Sequence, residues 1–348
     1  MTDLHGKRIK RDGTADLLKG FAVLFMIQVH LMEQFVSPDI YSSLIGKTSM
    51  FLGGPFCAPV FLAVMGYFLA YSSKPLFYFL KRGVLLFLGG ILLNTARSAN
   101  LLIQIIQGKL ELDPWFYILG ADILTLAGLS LLLTGIMRIM FREKAWLYAI
   151  SAIIVAAISP LLNRAGSTGL FPSHFRAFLW GTEAWSYFPV FPWFAYVLAG
   201  YSFRLFLKQS PVAMKIDIQT RIIYFIPAWI GVIITIPFAS AITHNLDGPD
   251  GYYHHGILFF GWVLLFLLSY LVVVKLIEIN CGENRILGFV KWIGQKVTML
   301  YIIQWLIIGN LATWLFHSQG LFQFIGWFFL VTIATILTGL LVDKIRLP

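Results

Sequence analysis

Residues Arg8–Phe35, RIKRDGTADLLKGFAVLFMIQVHLMEQF, decide the fold class. A basic leader runs into a stretch apolar enough to cross a membrane, yet that stretch carries Asp16 and Lys19 near its start and His30 near its far end. Ionisable groups at membrane depth cost about 2.5–3.5 kcal/mol each on insertion scales, so they face a protein interior or a watery cavity and mark function. The segment reads as a membrane helix that forms one wall of a site. It lacks the small-residue cleavage site of a signal peptide and is too long for an h-region, so it is expected to remain as a true helix.

The same apolar character continues along the chain. Of 348 residues, 59% are hydrophobic and 12% charged, with a mean hydropathy of +0.80, which excludes an ordinary soluble domain. Runs of about 20 residues suit helices that cross roughly 30 Å of hydrocarbon, whereas barrel strands would show short alternating segments. The expected fold is all-α, a polytopic integral membrane protein with residues 1–348 as a single transmembrane domain. About ten spans are expected, near 17–36, 50–71, 79–97, 115–137, 145–162, 187–206, 221–241, 256–276, 296–315 and 322–342.

Charge orients these spans. With the N-terminus in the cytoplasm, all 26 Lys and Arg residues except Lys47, Arg97, Lys109, Arg164 and Arg176 fall on or next to the cytoplasmic side. That asymmetry fits the positive-inside rule and puts both termini in the cytoplasm. The net charge of +10 is scattered between apolar runs as loop charges are, which argues against a nucleic-acid partner. Cys57 and Cys281 lie on different levels, so no disulfide is expected. No Walker-type lysine loop supports an ATP-driven pump, and no Cys/His cluster has metal-ligand spacing, so no metal is expected.

The polar residues in and beside the spans carry the chemistry. Lys19 and His30 are separated by about 16 Å of helix and close to three turns, so they share roughly one face at different depths. Asn94 and Arg97 approach the outer end of the third span, and Asp122 is expected two turns into the fourth, so His30, Asn94, Arg97 and Asp122 can share one outer-half layer. A base near pH 7, a cation and an acid are the ingredients for proton transfer and for stabilising a developing oxyanion. Each also has a structural reading. Asp16 suits a first-turn helix cap, Lys19 a snorkelling anchor, and Asp122 with Arg97 an ion pair. The aromatic run FPVFPWFAYVLAG, residues 188–200, suits an interfacial belt, with Trp193 less easily explained that way. His254 and His255, in GPDGYYHHG before the eighth span, join Trp193 as candidate acceptor contacts. Adjacent side chains on a helix diverge, so at most one of the two histidines is expected to face a given site.

The segment DLLKGFAVLFMIQVH, residues 16–30, resembles the first helix of the transmembrane acyltransferase superfamily, whose members carry an Arg or Lys, ten intervening residues and then a His. Lys19 and His30 match that spacing. APVFLAVMGYFLA (58–70), DILTLAGLSLLL (122–133) and FPVFPWFAYVLAGYSFR (188–204) are similar to segments of the bacterial relatives of heparan-alpha-glucosaminide N-acetyltransferase. The likeness runs nearly end to end. It implies transfer of an acyl group, acetyl by default, from cytoplasmic acyl-CoA to a hydroxyl or amine of a sugar or glycan on the far side of a bacterial-type inner membrane. It further implies His30 as general base or acyl-handling group and Lys19 as the motif cation. Gln304, in YIIQW, departs from the histidine many relatives carry there, and Lys19 in place of Arg gives up bidentate phosphate binding.

For the donor, the phosphates of acetyl-CoA or another acyl-CoA are expected to stay with cytoplasmic groups: Lys81 and Arg82, Lys19 and Asp16 at the start of the first span, and Lys7 and Arg8 in the leader. Membrane lipid surrounds the spans, and small-residue faces such as Gly89 and Gly90 serve either internal packing or a homodimer. The competing class is a proton-coupled transporter or flippase of a sugar or lipid-linked precursor, which uses Asp and His pairs equally well.

Overall fold

A computed structural model describes residues 12–164, 173–210, 218–246, 251–282 and 284–345, with the side chains of 218–225 outside the description. The described residues are helical throughout, apart from turns and two isolated bridges, Val36 to Gln319 and Ala121 to Ser186. In chain order the helices are α1 (Gly13–Phe35), α2 (Pro38–Tyr41), α3 (Leu44–Gly53), α4 (Ala58–Leu69), α5 (Leu76–Arg97) and α6 (Ala99–Ile106). There follow α7 (Pro114–Ile118), α8 (Ile123–Phe141), α9 (Ala145–Arg164), α10 (Ser173–Leu179), α11 (Val190–Gln209), α12 (Ile218–Ile234) and α13 (Ile236–His244). A 3₁₀ turn at Tyr252–His254 leads to α14 (Ile257–Cys281), α15 (Arg285–Gln295), α16 (Val297–Leu315) and α17 (Leu321–Ile345).

Nine helical stretches among the described residues are long and apolar enough to cross a membrane, with α3 and α4 counting as one stretch, Leu44–Leu69. A tenth arises if Ile226–Ile234 and α13, bent by 51° at Thr235, form one broken span. Pro237, just inside α13, explains the break, because its ring displaces the carbonyl one turn back and it has no N–H to donate. The chain is thus an all-α, multi-pass membrane protein. Exposed apolar side chains such as Phe77 (73%) and Phe322 (88%) are what helices surrounded by hydrocarbon present.

The fourth span corrects the sequence reading. It begins at Ile123 rather than near 115, because Pro114 starts the separate short helix α7 and Asp122 caps α8. The Asp122 carboxylate accepts the Ile123 N–H at 2.5 Å, and the Thr125 hydroxyl accepts the Asp122 N–H at 3.0 Å. Asp122 therefore sits at the mouth of the helix and not two turns inside it.

Contacts divide the chain into two compact units. Among the described residues the first comprises Asp12, Ala58–Ile91 and those of Leu119–Val272. Its centre is α11, packed against α4, α9 and α8, with Ala195, Tyr196, Val197 and Leu198 all wholly buried. A helix apolar on every side is one enclosed on every side. The second unit comprises Gly13–Cys57, Leu92–Ile118 and Val273–Pro348. Here α1 is central, with α3, α15, α16 and α17 around it. The α1–α15 crossing is close enough that a Cβ on Gly294 would lie 1.8 Å from the Asp16 carbonyl oxygen.

Candidate active site

Within the second unit, α1 brings His30 against α16. The buried face of α16 repeats at helical spacing through Tyr301, Gln304, Trp305, Ile308 and Ala312. Gln304 is wholly buried, and its Nε2 lies 3.1 Å from Nδ1 of the half-buried His30. The Trp305 ring centroid is 4.1 Å from that of His30, tilted by 35°. Arg97, the last residue of α5, lays its guanidinium 4.4 Å from the centroid of the same indole. One aromatic ring thus carries both an imidazole and a cation, a contact that attracts the charge through the ring quadrupole.

The docking of α16 explains why Arg97 lies there. Gly309 admits the end of α5, since a Cβ at that position would be 2.6 Å from the Arg97 carbonyl oxygen. Next to it, the Asn310 amide donates to the Ala96 carbonyl at 3.0 Å and accepts the Asn100 N–H at 3.0 Å. The Asn100 side chain returns a bond to the Asn310 carbonyl at 3.2 Å. Polar clasps of this kind hold helices together where no hydrophobic force between them acts.

The Gln304 bond decides which imidazole nitrogen holds the proton. When the amide N–H donates to Nδ1, that nitrogen is the acceptor, and a neutral His30 carries its proton on Nε2. Turning the amide half round puts Oε1 against Nδ1, where it accepts Nδ1–H and leaves Nε2 as a base. Oε1 is buried with no hydrogen-bond partner among the described residues.

The four residues expected to form one layer come together in part. His30 and Arg97 meet through Trp305. Asn94 is fully buried, and its side-chain amide meets the Ile118 carbonyl at 3.4 Å. Asp122 belongs to the other unit, where it caps α8.

At the start of α1, the motif cation Lys19 is ion-paired with Asp16 at 2.8 Å, and Gln295 of α15 donates to the other Asp16 oxygen at 3.1 Å. Close by in sequence, Thr14 donates to Glu278 at 2.5 Å, and Lys275 and Lys291 each approach that carboxylate at 3.0 Å. In the first unit, Lys81 and Arg82 are exposed on α5, with Arg82 donating to the Tyr78 hydroxyl at 2.6 Å. Lys7 and Arg8 lie outside the described residues.

Trp193, His254 and His255 gather in the first unit, all buried. The Trp193 indole N–H donates to the Tyr253 carbonyl at 2.8 Å, and Asn163 donates to the His254 carbonyl at 2.9 Å. His255 donates from Nδ1 to the Tyr252 carbonyl at 2.7 Å and accepts the Tyr196 hydroxyl at Nε2, 2.8 Å away. Those partners fix a neutral tautomer. Burial pushes His254 down to about 4 and His255 to about 3, the latter opposed by its bond to Tyr252. The trio stitches the 3₁₀ turn onto α11.

Trp305 is the residue that sequence reasoning missed, and Gln304 stood out only as a departure from a motif. A glutamine inside an apolar span is itself an intramembrane polar group, which is a usable signal. Nothing local marks Trp305, whose importance depends on which face α16 turns to α1.

A family model described as an acyltransferase domain matches residues 13–344. No curated protein and no solved structure matches the chain.

Proposed function

The chain belongs to this acyltransferase family, and from that premise we propose that it moves an acyl group, acetyl by default, from cytoplasmic acyl-CoA to a hydroxyl or amine of a sugar or glycan across the membrane. The observation that carries the reading is the half-buried His30, tied at Nδ1 to Gln304 and packed against Trp305, whose indole also carries Arg97. A positioned imidazole with a cation nearby matches the needs of acyl transfer.

In this reading Gln304 orients the imidazole at Nδ1. With its carbonyl accepting Nδ1–H, His30 Nε2 removes the proton from the acceptor as its oxygen or nitrogen attacks the thioester carbonyl. The new C–O or C–N bond forms, the C–S bond breaks, and the imidazolium returns the proton to the departing thiolate. The Arg97 guanidinium, on the same indole as His30, supplies the positive charge that stabilises the oxyanion of the tetrahedral intermediate. The donor's phosphates are met by exposed cations such as Lys81 and Arg82, with both termini cytoplasmic, an orientation that the positive-inside pattern supports.

The deciding experiment reconstitutes the purified protein in vesicles, supplies acetyl-CoA labelled in the acyl group, and looks for label bound covalently to a sugar acceptor. Donor-dependent labelling that falls about 10²- to 10⁴-fold in His30→Ala is expected. Movement of the sugar without covalent change would replace the enzyme by a carrier.

A further inference from the structure

Between the start of α5 and the end of α8, in the first unit, lies a cavity of about 200 Å³ lined by Lys74, Leu76, Phe79, Gly135, Arg138 and Ile139. We propose that it binds the phosphate headgroup of an anionic membrane phospholipid.

Arg138 is held by groups that leave its charge intact. Its Nη2 donates to the Ser72 carbonyl at 2.6 Å, Nη1 meets the Lys74 carbonyl at 3.5 Å, and the guanidinium lies 4.6 Å from the Phe79 ring centroid. No ion pair joins Arg138 or Lys74 to a carboxylate among the described residues. Arg138 and Lys74 thus line one cavity with no carboxylate ion-paired to either among the described residues. A guanidinium immobilised by neutral acceptors keeps its full charge, has N–H groups beyond the two those carbonyls take, and loses little entropy on binding an anion.

The surroundings choose the source of the phosphate. Phe77 is 73% exposed, Ile139 61% and Met140 69%, so the cavity opens beside a surface that faces hydrocarbon. An occupant that lays acyl chains along those side chains and presents an anion to Arg138 and Lys74 satisfies both walls. Basic pockets between spans at the cytoplasmic level bind acidic headgroups for this reason. Acetyl-CoA, the default donor, offers the same phosphate chemistry, but its polar pantetheine arm and two-carbon acyl group supply no long hydrocarbon chain to cover the apolar wall.

The test measures lipid retained by the full-length protein after extraction, by native mass spectrometry, with phosphatidylglycerol and phosphatidylcholine offered in equal amounts. Wild type should retain phosphatidylglycerol preferentially, and Arg138→Gln should lose about fivefold of that preference. Lys74→Gln, at an exposed position, should lose a similar factor and gives the same answer if Arg138→Gln does not fold. Excess acetyl-CoA should leave the retained lipid in place. Equal retention of the two lipids, a preference unchanged in both variants, or displacement by acetyl-CoA would each overturn the proposal, the last by giving the cavity to the donor.

Discussion

Gln304 and His30 are joined at 3.1 Å, linking a half-buried imidazole on α1 to a fully buried amide on α16. The side chain that sets the imidazole's proton is thus sealed from water while the imidazole is not. Positioning and accessibility are divided between two helices, and the catalytic reading can be probed at each.

His30→Ala should separate binding from chemistry. With the donor's phosphates met elsewhere, as proposed, acetyl-CoA binding measured by calorimetry should persist while turnover falls about 10²- to 10⁴-fold. Loss of binding in step with turnover would make His30 a donor contact instead of a base.

Gln304→Leu removes the hydrogen bond that holds Nδ1 of the half-buried imidazole. A hydrogen bond of this kind contributes about 0.5–1.5 kcal/mol, so kcat at saturating donor should drop roughly two- to tenfold. Gln304→Glu keeps an acceptor for Nδ1–H and should retain more activity than the leucine variant. Equal activity in wild type and Gln304→Leu would remove Gln304 from the mechanism.

Trp305 is expected to position Arg97 as well as His30. Trp305→Phe retains an aromatic face and should lose little, whereas Trp305→Leu forfeits a cation–π contact of about 0.5–2 kcal/mol. The comparison to make is kcat against KM for the acceptor. A defect confined to KM would show that the ring serves binding alone.

Gly294→Ala tests the α1–α15 crossing. Its added methyl would stand 1.8 Å from the Asp16 carbonyl oxygen, so the helices must separate. A cost of about 1–3 kcal/mol is expected, read as a lowered thermal midpoint in detergent. An unchanged midpoint would mean that α15 shifts freely.

His254 and His255 predict loss of stability in mild acid. In the unfolded chain both protonate near 6.5, whereas in the fold they stay neutral down to about 4 and 3. Below 6.5 the unfolded state binds more protons, so stability declines as pH falls from 6.5 toward 4. Each costs about 1–2 kcal/mol at roughly pH 5, and His255→Asn should flatten the slope. Thermal midpoints that do not vary between about pH 7 and 5 would contradict the burial of these two rings.

How much of this was readable beforehand depends on the residue. The spacing of Lys19 and His30 along one helix was readable because it needs only the helical period, and both do lie on α1. The start of α8 was misjudged because hydropathy alone blurs α7 into it, although Pro114 and Asp122 were the punctuation that separates them. His254 and His255 were legible as unusual, but their burial against Tyr196 and Asn163 was not, since those partners lie far away in sequence.

Taken alone, the sequence determined the all-α membrane class, the number of apolar stretches and the place of His30 along the first of them. Those properties follow from local hydropathy and a fixed rise per residue. Tertiary structure alone decided that Gln304 and Trp305 are the neighbours of His30, and that Arg97 reaches the same ring. These pairings depend on which helix faces meet, and backbones approach that closely only where residues such as Gly309 and Gly294 leave room. Such complementarity belongs to pairs of helices and is written in neither one.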